Sequence, residues 1–575
     1  MMFKNRLLGG YYYCLTRNLA VATRILVVAL FVMATNSGFE HRISVILEQG
    51  RWPAAISFTC VWGLCFAALL IAAFQPKLWV RAAWAVLIAL STAIGFAFHE
   101  VGGSDLGVLD AMSLWSARHE AGRALDFYSS EAWRPVVVLV IGILILAVPP
   151  VPTNRMINRW LSRLGWTPLI PVVCIAAIIY LKDGGAQALP TQFTPLSVAT
   201  VSGLALAKSS VPKRAAVTWQ PAAPKVRHIV FIVDESVRAD YLDWSPGNPY
   251  TPELASLKSR IIDFGPAASG GVCSHYSNAL LRFGASRSDL GRQLLLNPTI
   301  WDYAKTAGFH AVFIDAQAAI NRSPGKLQNF MTPDEALQID HFHVVPSDLP
   351  PHALDDKLLD LVVEELRSDK PVFIYAVKNG AHFPYDRGYP GSDRYFGPTM
   401  SEVGRDGVDF RINSYRNVVK WTVDRFFKRL LAEIDLTNAV VLYTSDHGQQ
   451  FDPRRLPHCT IEAPDPRQAL VPLLAITDEV ELRARFDAAA RESHGHGNHF
   501  ALVPSILQLM GYSPANVRQR YDESLLEPNK LPPFFTTGDI FSLFSDTVLT
   551  HSIDLEQTYL ETEARVQPTR AVTGL

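Results

Sequence analysis

Five long uncharged runs lie within the first 181 residues: Ile25 to Phe39, Ala54 to Phe74, Ala82 to Phe98, Pro135 to Pro152 and Leu164 to Leu181. A helix crosses a bilayer with about 17–25 mostly apolar residues, so these runs point to a helical membrane domain. The first run reaches that length when Leu19 to Arg24 is added, with Arg24 snorkelling near one face. Five such runs in succession are rare in soluble folds. A cleaved signal peptide does not account for them, because four more runs follow the first. Lys4, Arg6 and Arg17 precede run one, Lys77 and Arg81 separate runs two and three, and Arg155, Arg159 and Arg163 fill the gap between runs four and five. Acids collect in an alternate loop, between runs three and four: Glu100, Asp105, Asp110, Glu120, Asp126 and Glu131. Basic loops stay in the cytoplasm. The amino terminus is therefore expected inside and, after five crossings, everything beyond Leu181 outside.

The remainder reads as an ordinary globular protein. A net charge of -1 over 575 residues gives no support for nucleic-acid attraction. Cys14, Cys60, Cys65 and Cys174 fall in the membrane part, and only Cys273 and Cys459 in the exported part. One disulfide between those two is left open by sequence. Residues 183–226, rich in Ala, Pro, Gly, Ser and Thr, read as a linker. From Val226 onward, strand-like runs recur at Ile229–Val233, Ala311–Ile314, Val372–Val377, Ala439–Tyr443, Leu470–Ile476 and Phe534–Thr537. Helical patterns fall between them, as at Leu354–Arg367 and Tyr415–Ile434. This alternation predicts an α/β sandwich with a largely parallel sheet. The expected organisation is a five-helix transmembrane domain at 1–182, a linker at 183–226, an exported catalytic domain at 227–545 and a polar tail at 546–575.

Two strand runs deliver chemistry at their carboxyl ends, where α/β sheets bind ligands. One ends in Ser445-Asp446-His447-Gly448, the other in Asp234-Glu235-Ser236. Adjacent Asp and His are good ligands for a divalent metal such as zinc. Asp234 and Glu235 compete for one role, since neighbours on a strand point to opposite faces. His382 follows a third strand, and His494, His496 and His499 lie in a Gly-rich tract. A His-Gly tract is often only a polar loop. A nucleophile for covalent group transfer is offered by Ser269, Cys273, Ser274 or Ser277, in a Gly-rich turn entering a helix. A helix amino terminus welcomes phosphate, and the same pattern also suits a plain serine cap.

Set in order, these pieces resemble the phosphoethanolamine transferases of Gram-negative inner membranes, in the alkaline phosphatase and sulfatase superfamily. The likeness covers nearly the whole chain. The family's Glu-Thr/Ser motif followed by Arg and Asp matches Glu235-Ser236-Val237-Arg238-Ala239-Asp240, which implies that Glu235 is the ligand. Ser274 takes the position of the family's nucleophilic threonine, and Asp446 and His447 match its Asp-His ligand pair. His382 and His494 match its head-group or second-metal histidines, His499 keeps the spacing of five, and Pro457-His458-Cys459 echoes its Leu-His-Gly.

The departures are specific. Gly270 and Leu280 stand where the family has paired cysteines, so its usual three disulfides are not expected. Gln449 replaces a Glu after Asp-His-Gly. The motif carrying a substrate-binding lysine is reduced to Asp315-Ala316-Gln317, with Arg322 as a loose substitute.

The resemblance implies one or two zinc ions, the first held by Glu235, Asp446, His447 and the Ser274 oxygen. It implies phosphatidylethanolamine as donor and lipid A, lipopolysaccharide core or another envelope glycan as acceptor. It also implies a multi-pass inner-membrane protein with a periplasmic catalytic domain, expected as a monomer. A sulfatase would need a Cys/Ser-X-Pro-X-Arg motif, and neither Cys273 to Ser277 nor Ser274 to Asn278 has its Pro or Arg. Phosphoglycerol transfer would use the same core, and a non-catalytic membrane scaffold would share the layout without needing the ligand set.

Overall fold

The computed structural model describes residues 2–36, 38–116, 132–150, 155–182, 184–208, 212–317, 331–346, 348–404, 406–453, 455–461, 463–541 and 548–560. Arg322, Glu120, Asp126 and Glu131 lie outside them. The chain divides into two compact units, Met1–Ser209 and Ser210–Leu575.

The first unit is helical. Among the described residues, three helical stretches are long and apolar enough to cross a membrane: Thr16–Ala34, Trp52–Ala73 and Leu78–Gly102. The fourth and fifth runs form shorter apolar helices, Trp133–Ala147 and Leu169–Leu181. Outward faces expose Leu26, Ile56, Val86, Val140 and Val173, as a lipid-facing surface requires. Arg24 donates to the carbonyls of Ala73 (2.7 Å), Val148 (2.7 Å) and Pro149 (3.0 Å). Its charge thus caps the carboxyl ends of two other helices, where cations are favoured. Part of the stretch read as a linker is ordered as the helix Thr194–Lys208.

The second unit is built on an eight-stranded sheet in the order β4-β3-β5-β1-β6-β7-β2-β8. The strands are β1 His228–Asp234, β2 Ile262–Ala268, β3 His310–Asp315, β4 His341–Val344, β5 Val372–Val377, β6 Ala439–Ser445, β7 Leu470–Ile476 and β8 Gly497–Asn498. β4, β3, β5, β1 and β6 run parallel, while β7 is antiparallel to both β6 and β2. β1, β5 and β6 are buried along their whole length, so they read as continuous apolar runs rather than alternating ones. Trp301 fills the core between Phe313, Phe373 and Tyr375. The run at 534–537 forms β9 (Phe534–Thr537), which pairs not with the main sheet but with β10 (Leu549–Ser552). β10 and the helix Leu555–Leu560 lie within the stretch read as a polar tail. The pattern at 415–434 is a helix with a wider π turn at Lys420–Arg425.

Candidate active site

β1 lies between β5 and β6, with Val233 beside Val377 and Asp234 beside Ser445. Three strand ends therefore open at one place. The chain turns sharply after Glu235, with Ser236 at φ 61°. Asp446 Oδ1 accepts from the Ser236 amide at 3.0 Å and from the His447 amide at 2.7 Å, which ties the two loops together.

Glu235, Asp446 and His447 each offer a ligand atom within 4.8 Å of the others, and all three are buried. Asp234 instead faces away into an ion pair. Its Oδ2 accepts from Lys378 Nζ at 2.5 Å and from the Tyr443 hydroxyl at 2.8 Å. The two adjacent acids thus divide as strand alternation requires.

The four candidate nucleophiles also separate. Ser269 and Ser277 are buried and donate to the Gly271 carbonyl at 2.7 and 3.0 Å, holding the turn. Cys273 is disulfide-bonded to Cys459. Ser274, the first residue of the helix Ser274–Phe283, places its Oγ 3.1 Å from His447 Nε2 and 3.4 Å from Glu235 Oε2. His447 Nδ1 donates to the Gly448 carbonyl at 2.7 Å. That bond fixes the tautomer and leaves the Nε2 lone pair directed at the cluster.

The donor set suits a cation. Among the described residues, buried Asp446 Oδ2 has no hydrogen-bond partner. Burial and the nearby Glu235 carboxylate push the Asp446 carboxyl up to about 7. Two buried acids and an imidazole are costly together without a positive charge between them. Carboxylate oxygen and imidazole nitrogen are the ligand types zinc takes.

The remaining histidines occupy different places. His458 stacks on His447, with ring centroids 4.4 Å apart. His382 is half-buried, with Nδ1 2.6 Å from the Phe383 carbonyl. His499 is buried, and both its nitrogens are engaged. Nδ1 accepts from the Gly270 amide at 3.1 Å and Nε2 meets Thr444 Oγ1 at 3.0 Å. Burial, with His447 nearby, pushes His499 down to about 3, so it stays neutral. It braces the Gly-rich turn before Ser274 from inside the fold. His494 is 61% exposed and pairs with Glu556 at 3.4 Å, at the β2–β8 margin. It does not join Glu235, Asp446 and His447.

The sequence pattern carries no sign of the roles of Lys378 and Gln317. Lys378 is visible only as a charge closing the fully buried β5. Gln317 Nε2 donates to Glu235 Oε2 at 2.9 Å and to the Lys378 carbonyl at 3.0 Å, orienting the acid. Gln449 accepts from the Tyr385 hydroxyl at 2.5 Å and donates to the Ser236 carbonyl at 2.9 Å. Gly270 and Leu280 are still neighbours, since a Cβ at 270 would fall 2.6 Å from Leu280 Cδ2. Apolar contact stands where the resembled family has sulfur.

Comparison with known proteins gives likenesses in both sequence and fold. Residues 227–512 match the sulfatase family. The Kdo(2)-lipid A phosphoethanolamine 7''-transferase of Escherichia coli (strain K12) is 24% identical over 298 residues, covering 50% of this chain and 52% of the relative. That of Salmonella typhimurium is 24% identical over 320 residues, with the same coverage. The chain thus spans about half the length of the curated relatives it matches. Among solved structures, the integral membrane protein lipooligosaccharide phosphoethanolamine transferase A from Neisseria meningitidis shares the fold, with a TM-score of 0.63 at 17% identity. That match covers 86% of this chain and 96% of the other. Residues 227–512 thus carry the likeness to the sulfatase family, and over about half its length the chain is similar in sequence to lipid A phosphoethanolamine transferases.

Proposed function

We propose that this protein moves phosphoethanolamine from phosphatidylethanolamine to a cell-envelope acceptor, lipid A, lipopolysaccharide core or another glycan, through a covalent Ser274 intermediate. The observation that carries this reading is Ser274 Oγ at a helix amino terminus, 3.1 Å from His447 Nε2 and 3.4 Å from Glu235 Oε2. Glu235, Asp446 and His447 would hold a zinc ion with the Ser274 oxygen. When bound, that ion supplies positive charge that lowers the serine's pKa and stabilises negative charge on the phosphoryl oxygens.

Two displacements follow. Ser274 Oγ loses its proton and bonds to the donor phosphorus, and the bond from phosphorus to the diacylglycerol oxygen breaks. Diacylglycerol leaves carrying a proton. An acceptor oxygen then attacks the same phosphorus, the Ser274–phosphorus bond breaks, and the serine regains its proton. Positioning and charge neutralisation are the main catalytic tasks in such transfer. The amide groups of the Ser274–Phe283 helix favour the anionic phosphoryl group. His382 and His458 are assigned to the substrate side and His499 to positioning. His494, with its side chain exposed beside Glu556, is assigned to the acceptor side.

A lipid donor accounts for the helical unit. All five apolar runs are assigned as crossings, which puts the second unit in the periplasm, outside a Gram-negative inner membrane. Mass spectrometry of lipids and envelope glycans tests the reaction, comparing cells that carry the chain, lack it, or carry Ser274→Ala. Phosphoethanolamine on an acceptor only with the unmodified chain is expected. Identical profiles in all three would overturn the proposal.

A further inference from the structure

A second group of metal-binding side chains sits at the opposite end of the parallel strands. His310 begins β3, and His341 and His343 stand two apart on the edge strand β4. Residues two apart share a face, so both β4 imidazoles point the same way. Phe342 between them points to the other face and packs on Phe313, with ring centroids 5.0 Å apart. Register pairs His341 with Val312, which puts His310 diagonally beside it on the neighbouring strand. The His310 and His341 rings meet edge-on at 4.4 Å.

Glu365, the last residue of the helix Leu354–Glu365, closes this face. Its side chain is 10% exposed, and one oxygen, Oε1, receives both β4 histidines: His341 Nδ1 at 2.9 Å and His343 Nε2 at 2.6 Å. Among the described residues, no lysine or arginine pairs with this carboxylate. His310, His341 and Glu365 each offer a ligand atom within 4.8 Å of the other two. Asp340 lies 3.5 Å from His310 Nδ1 and takes Lys305 at 3.1 Å. A carboxylate in that position orients a ligating imidazole.

We propose that His310, His341 and Glu365, with His343 as fourth ligand, form a structural zinc site separate from the Glu235–Asp446–His447 cluster. Zinc takes imidazole nitrogen and carboxylate oxygen in tetrahedral sites at about 2.0–2.2 Å. Such bonds place ligand atoms ~3.3–3.5 Å apart, within reach of side-chain rotation from the spacing observed. The ion would join β3, the edge strand β4 and the end of the Leu354–Glu365 helix. Nothing in this assignment depends on the transfer reaction.

The test titrates Zn²⁺ into the metal-stripped full-length chain in detergent, measuring stoichiometry by calorimetry and by elemental analysis. H341Q/H343Q should bind one zinc equivalent fewer than the unmodified chain, and E365Q should weaken that site at least tenfold. Transfer activity in H341Q/H343Q, assayed with zinc at the other cluster, should stay within twofold. E235Q/D446N should lose the other equivalent and keep this one, so failure at either cluster is seen independently. Should H341Q/H343Q fail to fold, the unmodified chain answers through diethyl pyrocarbonate labelling. Zn²⁺ should protect His341 and His343 from modification, as read by peptide mass. Equal zinc stoichiometry and affinity with and without the two histidines, or labelling of both that ignores Zn²⁺, would overturn the proposal.

Discussion

Lys378→Met should destabilise the second unit more than any surface change, and its effect should depend on pH. Lys378 and Asp234 are both fully buried. The lysine Nζ lies 2.5 Å from Asp234 Oδ2, 2.5 Å from the Thr422 carbonyl and 3.6 Å from Asp355 Oδ2, over the Phe426 ring at 4.2 Å. Methionine keeps the apolar stem but removes the charge. Breaking a buried pair by removing one partner costs about 3–5 kcal/mol, a large share of the roughly 5–15 kcal/mol that holds a domain folded. For a unit of this size the midpoint should fall ~4–7 °C. Asp355 is already pushed up to about 6, chiefly by burial and opposed mainly by Lys378. Without the lysine, Asp355 rises further and takes up a proton. A carboxyl whose folded pKa lies above its unfolded value favours the folded state below the unfolded value, and that contribution is lost as pH rises through the folded one. The K378M deficit should therefore be smaller at pH 5 than at pH 8. D234N/K378M, with one buried charge fewer, should recover part of it. Thermal unfolding of the purified chain by intrinsic fluorescence at both pH values measures this. A K378M midpoint within about 1 °C of the unmodified chain, or a deficit equal at both pH values, refutes the reasoning.

Gly380→Ala should disturb the ligand loop directly. A Cβ there falls 2.1 Å from Asp234 Oδ1 and 2.7 Å from the Glu235 amide nitrogen, at a φ of +53°. Transfer should drop at least tenfold, with weakened zinc binding by calorimetry. His499→Ala strands the Gly270 amide, at a cost of about 1–3 kcal/mol when it is left buried and unpaired, while the Thr444 hydroxyl keeps the Pro472 carbonyl at 2.8 Å. Its lower rate should follow loss of the Ser274 position, with zinc affinity changed less than threefold. C273S/C459S removes a crosslink with a sequence separation of 186 residues beside Ser274. A chain-entropy estimate for so long a loop is about 5 kcal/mol, read as a lower denaturation midpoint.

Much of the fold was legible because buried strands are unbroken apolar runs. Five of the six expected strands belong to the main sheet, and the sixth, β9, is a real strand in a separate pair. β2 escaped notice because Gly265 and Pro266 interrupt it, and β4 because His341 and His343 give it a polar face. β8 is two residues long, and no pattern survives at that length. At the site, Glu235, Asp446, His447 and Ser274 stood next to strand ends or a glycine turn, so their types and places carried a signal. Their supports did not, because Lys378, Gln317 and Thr444 act through contacts between distant segments. His499 and His494 show the same limit. Spacing grouped them, but one is locked inside the fold and the other meets Glu556 at the surface.

The central claim is tested most directly by intact-mass spectrometry of the full-length chain after brief exposure to phosphatidylethanolamine with Zn²⁺ and no acceptor. A phosphoethanolamine adduct is expected that maps to Ser274, forms as diacylglycerol is released, and is absent from Ser274→Ala and from the chelated protein. Diacylglycerol release that persists in Ser274→Ala, or an adduct mapped to another residue, would contradict it.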